Sequence, residues 1–470
     1  MKTKPTRLDA YQLIHDGILA LGRAEQTGMC IDVAYCERKK QHLTRKIKYF
    51  ENKLLETEFV KEWKRLYGNK FNMNSDTQLG RMLYKVLKIT PSKTTPSGAG
   101  ATDEEALQQI GMSELDMILQ IRKLAKVRDT YLDAFHREQV DGVLHPFFNL
   151  HTVVTYRSSC NSPNFQNIPK RDKESMKLCR RAILPRKGHQ LLEVDFSGLE
   201  VFVAACYHKD PTMMRYLTDD HADMHGDMTE QIFKLEPFSK SLPEHAFLRS
   251  ATKNGFVFPQ FYGDYYGNNA YHLAVRWGKL PKSRWKKGIG VPMPGGSFLS
   301  DHLISKGIKS YDAFTEHIKD IEKDFWTNRF FMYQKWKDRW FSRYQKRGYV
   351  DMLTGFRCSG LMRRNEVINY PVQGAAFHCL LWSFIQVDKA IQAKKLQSRL
   401  IGQIHDAMVL DVHPAELDEI GAIIKKTTCH DLLKHWPWII LPLDVEAEIC
   451  AVDAPWSEKG KHELPEVCYG

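Results

Sequence analysis

The stretch from Leu191 to Cys206, LLEVDFSGLEVFVAAC, constrains the fold of this chain more than any other. Its first residues are apolar and predict a strand. The apolar residues of its second half recur at i, i+3, i+4 and i+7 and predict a helix with one buried face: Leu199, Phe202, Val203 and Cys206. Asp195 lies at the junction. A lone aspartate there is most often a helix N-cap, but a carboxylate held at a strand end is also a good metal ligand.

A second aspartate occupies a comparable position. The stretch Leu400–Val412, LIGQIHDAMVLDV, predicts two apolar strands flanking His405 and Asp406. Tight hairpins usually turn at Asn-Gly or Asp-Gly, so a His-Asp turn is unusual. If the strands that carry Asp195 and Asp406 are neighbours in one antiparallel sheet, their carboxylates converge and repel unless a cation lies between them. Mg²⁺ prefers a few carboxylates plus phosphate oxygens, and two such ions can assist an in-line displacement.

A third stretch, RSATKNGFVFPQFYG over Arg249–Gly263, combines cations with aromatic rings. Arg249 and Lys253 are four residues apart and share a helical face, and so do Phe258 and Tyr262. The step from Lys253 to Phe258 is five, and a glycine and a proline argue against a fully regular helix. Such a face suits a nucleotide, with charges for the phosphates and a ring for the base. A surface helix with an apolar lower half fits the pattern equally well.

Composition narrows the class of protein. The 470 residues predict several subdomains, and the net charge of +12 fits a polyanionic partner such as nucleic acid, although a basic surface that serves only solubility would look the same. The 10 cysteines are scattered without a CxxC pair, which argues for reduced thiols and against a zinc site. Neither a membrane helix nor an apolar signal core is evident, so we expect a cytoplasmic protein with no membrane partner.

These three stretches and four others together resemble the polymerase region of the DNA polymerase I family (family A). DFSGLE matches the family's first catalytic motif, R-x₃-K followed by FYG the second, and IHD the third. TYRSSCNSPNFQNIP and NYPVQG match two further family stretches, and FNMNSDTQLG and LAKVRDTYLDAF match its thumb. The motifs occur in the family's order over nearly the whole chain, which makes the resemblance specific.

The resemblance implies an α+β, right-hand polymerase fold with a helical thumb, a palm built on an antiparallel sheet, and helical fingers. We expect residues 1–150 to be mainly thumb and 151–220 to be the first part of the palm. Residues 221–348 would form the fingers, with an inserted basic, irregular loop over 264–312. Residues 349–470 would complete the palm.

The resemblance also implies an activity: a template-directed DNA polymerase that extends a primer 3′ end with dNTPs by two-metal-ion nucleotidyl transfer. Two Mg²⁺ ions would be the cofactors, with Mn²⁺ as a substitute, and the partners would be a DNA primer-template and dNTPs. Because the thumb motifs begin near Met1, we expect no 3′–5′ exonuclease domain. A separate exonuclease or processivity factor could then be a partner, and a phage gene would place the protein in the host cytoplasm.

Roles follow residue by residue from the matched motifs. The resemblance makes Asp195 and Asp406 the metal ligands, together with the backbone carbonyl of Phe196, and adds Lys253 to the two aspartates as a catalytic residue. Glu200 would exclude a ribose 2′-hydroxyl, with Tyr262 as its partner. The nucleotide-binding set is Glu200, His225, Arg249, Lys253, Phe258 and Tyr262. The DNA-binding set is Arg157, Asn164, Gln166, Asn167, Gln373 and His405.

Three departures from the family pattern matter. Ala407 stands where the third motif usually has a glutamate, and residues 264–312 are longer than the usual connection. The second motif carries one extra residue, so counting forward from Lys253 reaches Val257, whereas counting back from Tyr262 reaches Phe258. Because stacking on a nucleotide needs a ring, we predict that Phe258 is the stacking residue and that a single widened turn before it absorbs the extra residue.

Two other functions remain open from the sequence. A phage-type single-subunit RNA polymerase shares the palm and the two aspartates, but Glu200 speaks against it. A catalytically weakened accessory protein that binds nucleic acid is the second alternative, and Ala407 is its motivation. Retention of both aspartates, Arg249 and Lys253 argues against this alternative.

Overall fold

The computed structural model describes residues 4–95, 97–170 and 172–466. The predicted parts 1–150, 151–220 and 349–470 therefore each include one or a few residues that lie outside these ranges. The helices are α1 (Arg7–Thr27), α2 (Val33–Leu55), α3 (Glu58–Tyr67), α4 (Asp76–Arg81), α5 (Glu104–Ile110), α6 (Ser113–Ala125), α7 (Asp133–Glu138), α8 (Lys173–Arg180), α9 (Leu199–His208), α10 (Pro211–Thr218), α11 (Met224–Phe233), α12 (Pro243–Thr252), α13 (Phe258–Phe261), α14 (Tyr266–Ala270), α15 (Leu299–Ser305), α16 (Tyr311–Asp324), α17 (Phe331–Arg347), α18 (Arg364–Lys394), α19 (Leu417–Lys426) and α20 (Leu432–His435).

The strands are short and antiparallel. They are β1 (Met29–Ile31), β2 (Val143–Leu144), β3 (Phe147–Asn149), β4 (Ser159–Asn161), β5 (Ile183–Leu184), β6 (Gln190–Phe196), β7 (Tyr349–Asp351), β8 (Arg357–Ser359), β9 (Arg399–Ile404), β10 (Ala407–Val412), β11 (Val445–Ile449) and β12 (Gly460–His462). The largest sheet has the order β12-β11-β6-β10-β9, and three smaller sheets flank it. The chain is thus a mixed α+β protein.

The five-stranded sheet carries the first and third motifs. Strand β6 is central and is hydrogen-bonded to β10 on one side and β11 on the other. Six of its seven residues are buried, including the polar Gln190 and Glu193, as befits a strand with a neighbour on each side. The condition set for the two aspartates, that their strands are neighbours in one antiparallel sheet, is therefore met.

Helix α1 lies against this sheet through α18 and β9. Arg23 of α1 donates from Nε to Asp388 Oδ2 of α18 at 2.8 Å, and Lys389 Nζ lies 2.8 Å from Asp16 Oδ2. By contrast, α2 packs against α6 and α7. None of the described helices is long and apolar enough to cross a membrane.

Two local predictions are wrong in part. We expected an irregular loop over 264–312, but α14, a widened helical segment (Tyr271–Trp277) and α15 lie within it. Helix forms there because α14 packs against α16 and its continuation buries apolar side chains such as Leu273. The stretch from Phe147 to Thr155 fits a strand pattern, but strand pairing ends at Asn149.

Candidate active site

The two aspartates meet at one edge of the central sheet. Asp195 is the penultimate residue of β6, and Asp406 lies in the two-residue turn between β9 and β10. The ladder places Ala407 opposite Asp195, and the Phe196 N–H donates to the Asp406 carbonyl at 3.2 Å. The strand register alone therefore brings together two carboxylates that are far apart in the sequence.

The electrostatics of this pair favour a bound cation. Burial, followed by the negative charge of Glu200, raises the pKa of Asp406 to about 6. Among the described residues, its Oδ1 atom is buried and has no hydrogen-bond partner. Burial also raises the pKa of Asp195, while Lys170, whose ammonium lies 3.5 Å from Oδ2, opposes the shift. A buried carboxylate oxygen without a partner is costly, and a divalent cation would relieve that cost.

The donor set fits a hard cation that takes oxygen ligands. The described residues contain no group of three or more His, Cys, Asp or Glu side chains that could enclose a metal. Ala407, in the position of the usual glutamate, is 2% exposed and adds no ligand. Two carboxylates suit Mg²⁺, which completes its shell with carbonyl, water and phosphate oxygens.

The predicted widened turn before Phe258 is confirmed. Helix α12 continues without a break through a π-helical turn, Lys253–Val257, into α13, and the Phe258 N–H donates to the carbonyl of Lys253. Gly255 is buried in this turn, and a Cβ atom there would lie 3.2 Å from Cδ2 of Leu273. A residue without a side chain therefore lets the wider turn pack against its neighbour.

This turn decides which phenylalanine reaches the site. Phe258 and Tyr262 line a pocket of about 190 Å³ that Glu200 and Asp406 also line. Phe256 is completely buried, and its ring meets that of Phe325 edge-on at 5.4 Å. The helical face that carries Phe258 thus faces the carboxylates, whereas Phe256 belongs to the core.

Glu200 links the helical segment that ends at Tyr262 to the loop that carries Arg157. It lies in the first turn of α9, where Tyr262 OH donates to its Oε2 at 2.7 Å and Arg157 Nη1 donates to its Oε1 at 3.1 Å. Burial and this hydrogen bond raise the pKa of Tyr262, so the phenol stays a donor. The pair forms a polar barrier beside the aspartates.

Lys253, in the widened turn, lies beside Phe258. The Lys253 ammonium is 5.2 Å from the centre of its ring, and the His225 ring meets it edge-on at 5.8 Å. Burial, then the charges of Arg249 and Lys253, lowers the pKa of His225 to about 4, so its imidazole is neutral at physiological pH. Arg249 is held by Asp223, with Nε–Oδ2 at 2.8 Å and Nη2–Oδ1 at 2.7 Å.

A second, larger cleft of about 550 Å³ adjoins the turn of Asp406. It brings together five of the six residues predicted to bind DNA: Arg157, Gln166, Asn167, Gln373 and His405. Asn164 is exposed at the start of a short 3₁₀ turn and does not line this cleft.

Several residues of the site were missed from the sequence. Gln403 accepts from Ser158 Oγ at 2.6 Å and from Gln166 Nε2 at 2.7 Å, and it donates to the carbonyl of His405. A polar residue inside the apolar strand LIGQI was an available signal for it. No local pattern marks Lys170 beside Asp195, because only the fold brings them together.

Comparisons with known proteins agree with this geometry. A sequence model of DNA polymerase family A matches residues 40–454. DNA polymerase I of Bacillus subtilis is 26% identical over 427 residues, which cover 89% of this chain and 43% of that protein. The thermostable DNA polymerase I of Thermus filiformis is 27% identical over 445 residues, which cover 91% of this chain and 46% of that protein. The chain therefore spans less than half the length of these relatives.

A solved structure shows the fold. The POL domain of Pol1 from M. smegmatis, in complex with DNA primer-template and dNTP, matches with a TM-score of 0.71 and 22% sequence identity. The match covers 94% of this chain and 70% of that one. The α+β polymerase fold predicted from the motifs is thus confirmed. The family model matches well over half of the residues of this chain, and the chain therefore belongs to DNA polymerase family A.

Proposed function

We propose that the chain is a template-directed DNA polymerase that extends a primer 3′ end with dNTPs by two-metal-ion nucleotidyl transfer. One observation carries the proposal: strand pairing places Asp195 and Asp406 at neighbouring strand ends, and Asp406 lines a pocket together with Glu200, Phe258 and Tyr262. Membership of family A supports it, as does the likeness to a polymerase domain that was solved with DNA and dNTP.

The two aspartates, with the carbonyl of Phe196, would hold Mg²⁺ or Mn²⁺. The bound ions would lower the pKa of the attacking 3′-hydroxyl and stabilise the charge on the leaving pyrophosphate. The protein's own part is to hold the carboxylates at adjacent strand ends. The raised pKa of Asp406 fits such a role, because the carboxylate gains most from a cation when burial disfavours its charge.

The helical segment formed by α12, the widened turn and α13 would bind the nucleotide. Lys253 and the neutral His225 lie where they can contact phosphate oxygens beside Phe258, whose ring would stack on the nucleotide. Arg249 would join them by exchanging the Asp223 carboxylate for a phosphate. Glu200, held by Tyr262, would fill the volume that a ribose 2′-hydroxyl needs.

The larger cleft would receive the primer-template. Its lining of amide, imidazole and guanidinium groups suits the edges of base pairs and the sugar-phosphate backbone. Within the fold, we propose that 1–150 is mainly thumb, 221–348 the fingers, and 151–220 with 349–470 the palm. Helix α1 nevertheless packs on the palm sheet.

Primer extension tests the proposal. The purified chain, a primed DNA template and Mg²⁺ should give extension with dNTPs and much weaker extension with rNTPs. Preferred use of rNTPs would favour the RNA polymerase alternative. DNA binding without any extension in Mg²⁺ or Mn²⁺ would favour the accessory-protein alternative that Ala407 motivates.

The expectation that these 470 residues lack 3′–5′ exonuclease activity stays a prediction. A primer with a mismatched 3′ end should keep its length when it is incubated with the chain and Mg²⁺ without dNTPs. Metal-dependent shortening that co-purifies with the chain through successive columns would contradict it.

A further inference from the structure

Gln260 is a polar residue buried on the back of the helix that carries Phe258 and Tyr262. Its exposed fraction is 1%. It follows Phe258 by two residues and precedes Tyr262 by two, so it points about 200° around the helix axis from either of them. Its side chain therefore does not face the nucleotide pocket, and the proposed function assigns it no role.

The Gln260 carboxamide is fully engaged. Its Nε2 donates to Asn269 Oδ1 at 2.6 Å and to Glu322 Oε2 at 2.5 Å. Its Oε1 accepts from the indole N–H of Trp326 at 2.7 Å. Both N–H donors and the carbonyl acceptor of this amide are thus used. Asn269 belongs to α14, whereas Glu322 and Trp326 lie one turn apart on α16 and its continuation.

These partners belong to the structure that supports the pocket wall. Trp326 packs edge-on against Phe261 at 6.1 Å and Tyr333 at 5.5 Å, and both of those rings line the pocket. The ammonium of Lys337 lies 3.0 Å from the centre of the Trp326 ring. The back of α13 is therefore fixed by directional bonds to a rigid aromatic cluster.

Tyr262, at the C-terminal end of α13, donates to Glu200 at 2.7 Å on the opposite face of this helix. We propose that Gln260 is a positioning residue for sugar selectivity: by fixing the back of α13, it sets how closely Tyr262 approaches Glu200. The inference rests on the proposed function, in which Glu200 limits the volume available to the sugar.

An apolar replacement of similar size would release the helix. Gln260→Leu leaves the Trp326 indole, Asn269 and Glu322 without their partner in a buried setting, so the segment must move to solvate or re-pair them. A shift of α13 displaces Tyr262 but leaves the strand-borne aspartates in place. We therefore expect selectivity to change more than the capacity for chemistry.

The test is single-nucleotide incorporation, measured as kcat/KM for a dNTP and for the matching rNTP. The variants are Gln260→Leu, Trp326→Phe, which removes one donor and keeps a ring, and the exchange Gln260→Glu with Glu322→Gln. The matched control is Ser398→Ala, which removes a buried hydroxyl bonded to Glu416 at 2.6 Å, at the end of β9 away from Asp406.

We expect Gln260→Leu to raise the rNTP/dNTP ratio by about tenfold, the effect of roughly 1.4 kcal/mol on one transition state relative to the other. Trp326→Phe should shift the ratio in the same direction by less. The exchange variant keeps the amide–carboxylate bond and the acceptor for Trp326, and the Asn269 amide can turn to donate to the new carboxylate. Its ratio should therefore lie closer to the wild-type value than that of Gln260→Leu. Ser398→Ala should lower the melting temperature without changing the ratio.

An unchanged ratio in Gln260→Leu, or in Trp326→Phe if the former does not fold, would overturn the proposal and leave Gln260 a purely structural residue. Failure of the proposed function looks different. Wild-type protein would then not extend the primer, or Glu200→Ala would leave the ratio unchanged.

Discussion

The two walls of the site are held in place by different means. The wall with Asp195 and Asp406 is fixed by backbone hydrogen bonds between neighbouring strands, so its geometry depends on register. The wall with Phe258 and Tyr262 is fixed by a widened helical turn and by side-chain contacts such as that of Gln260. We infer that the strand wall serves the chemistry and the helix wall serves the choice of nucleotide, and that substitutions in the two walls should differ accordingly.

The largest effect should come from the strand wall. Asp195→Asn or Asp406→Asn keeps the size of the side chain but removes the charge that would hold a cation. Primer extension should fall by about 10³-fold or more, because metal stabilisation of the transition state amounts to several kcal/mol. Asp418→Asn is the matched control, because it makes the same change at an exposed aspartate in the first turn of α19. Near-normal extension by either aspartate variant would remove the distinction between the walls.

Glu200 bonds Tyr262 of the helix wall and lines the same pocket as Asp406 of the strand wall, so it should give the next largest effect. Glu200→Ala opens volume beside Tyr262 and should raise rNTP use relative to dNTP by roughly 10- to 200-fold, the range in which pockets discriminate small groups. Glu200→Gln keeps the volume and should stay near the wild-type ratio. The ratio of kcat/KM values for the two sugars is the measurement. An equal change in both variants would mean that charge, rather than volume, excludes the hydroxyl.

The helix wall can be tested with two phenylalanines. The resemblance to family A implies that a tyrosine hydroxyl at the stacking position stands in for a missing 3′-hydroxyl. Phe258→Tyr should therefore raise the ddNTP/dNTP ratio by about tenfold, the value of one good hydrogen bond. Phe256→Tyr buries a hydroxyl in the core against Phe325 and should lower stability while leaving the ratio unchanged. Competitive incorporation and thermal melting distinguish them. The reverse pattern would show that the nucleotide meets Phe256.

The smallest effect concerns stability. The pKa of Asp406 is raised from 3.8 to about 6, so the folded state binds this proton more tightly than the unfolded state does. The stability that this carboxyl contributes is therefore greatest below about pH 4 and is lost as pH rises through about 6. Asp406→Asn, melted with EDTA at pH 8, should be more stable than wild type by about 1–3 kcal/mol, and the gain should shrink at pH 4. If the variant and the wild type were equally stable at both pH values, burial would not disfavour the charge of this carboxylate.

The two walls also differ in how far the sequence predicts them. The apolar runs and the His405–Asp406 turn predicted the strands of the first wall, whereas their pairing was only a condition until the structure showed it. The widened turn was predictable from the one extra residue between Lys253 and Tyr262 and from Gly255. The contacts of Gln260 with Trp326 and Glu322, and of Arg249 with Asp223, were not, since they join segments that only tertiary packing brings together.

In the proposed function, both walls act on a single nucleotide. A structure of the chain with a 3′-dideoxy-terminated primer-template, Mg²⁺ and the next dNTP tests it most directly. We predict a triphosphate that bridges Asp195 and Asp406 on one side and Lys253 on the other, with Phe258 against the nucleotide and Arg249 moved from Asp223 to a phosphate. A nucleotide that contacts only one wall, or that meets Phe256 in place of Phe258, would contradict the account.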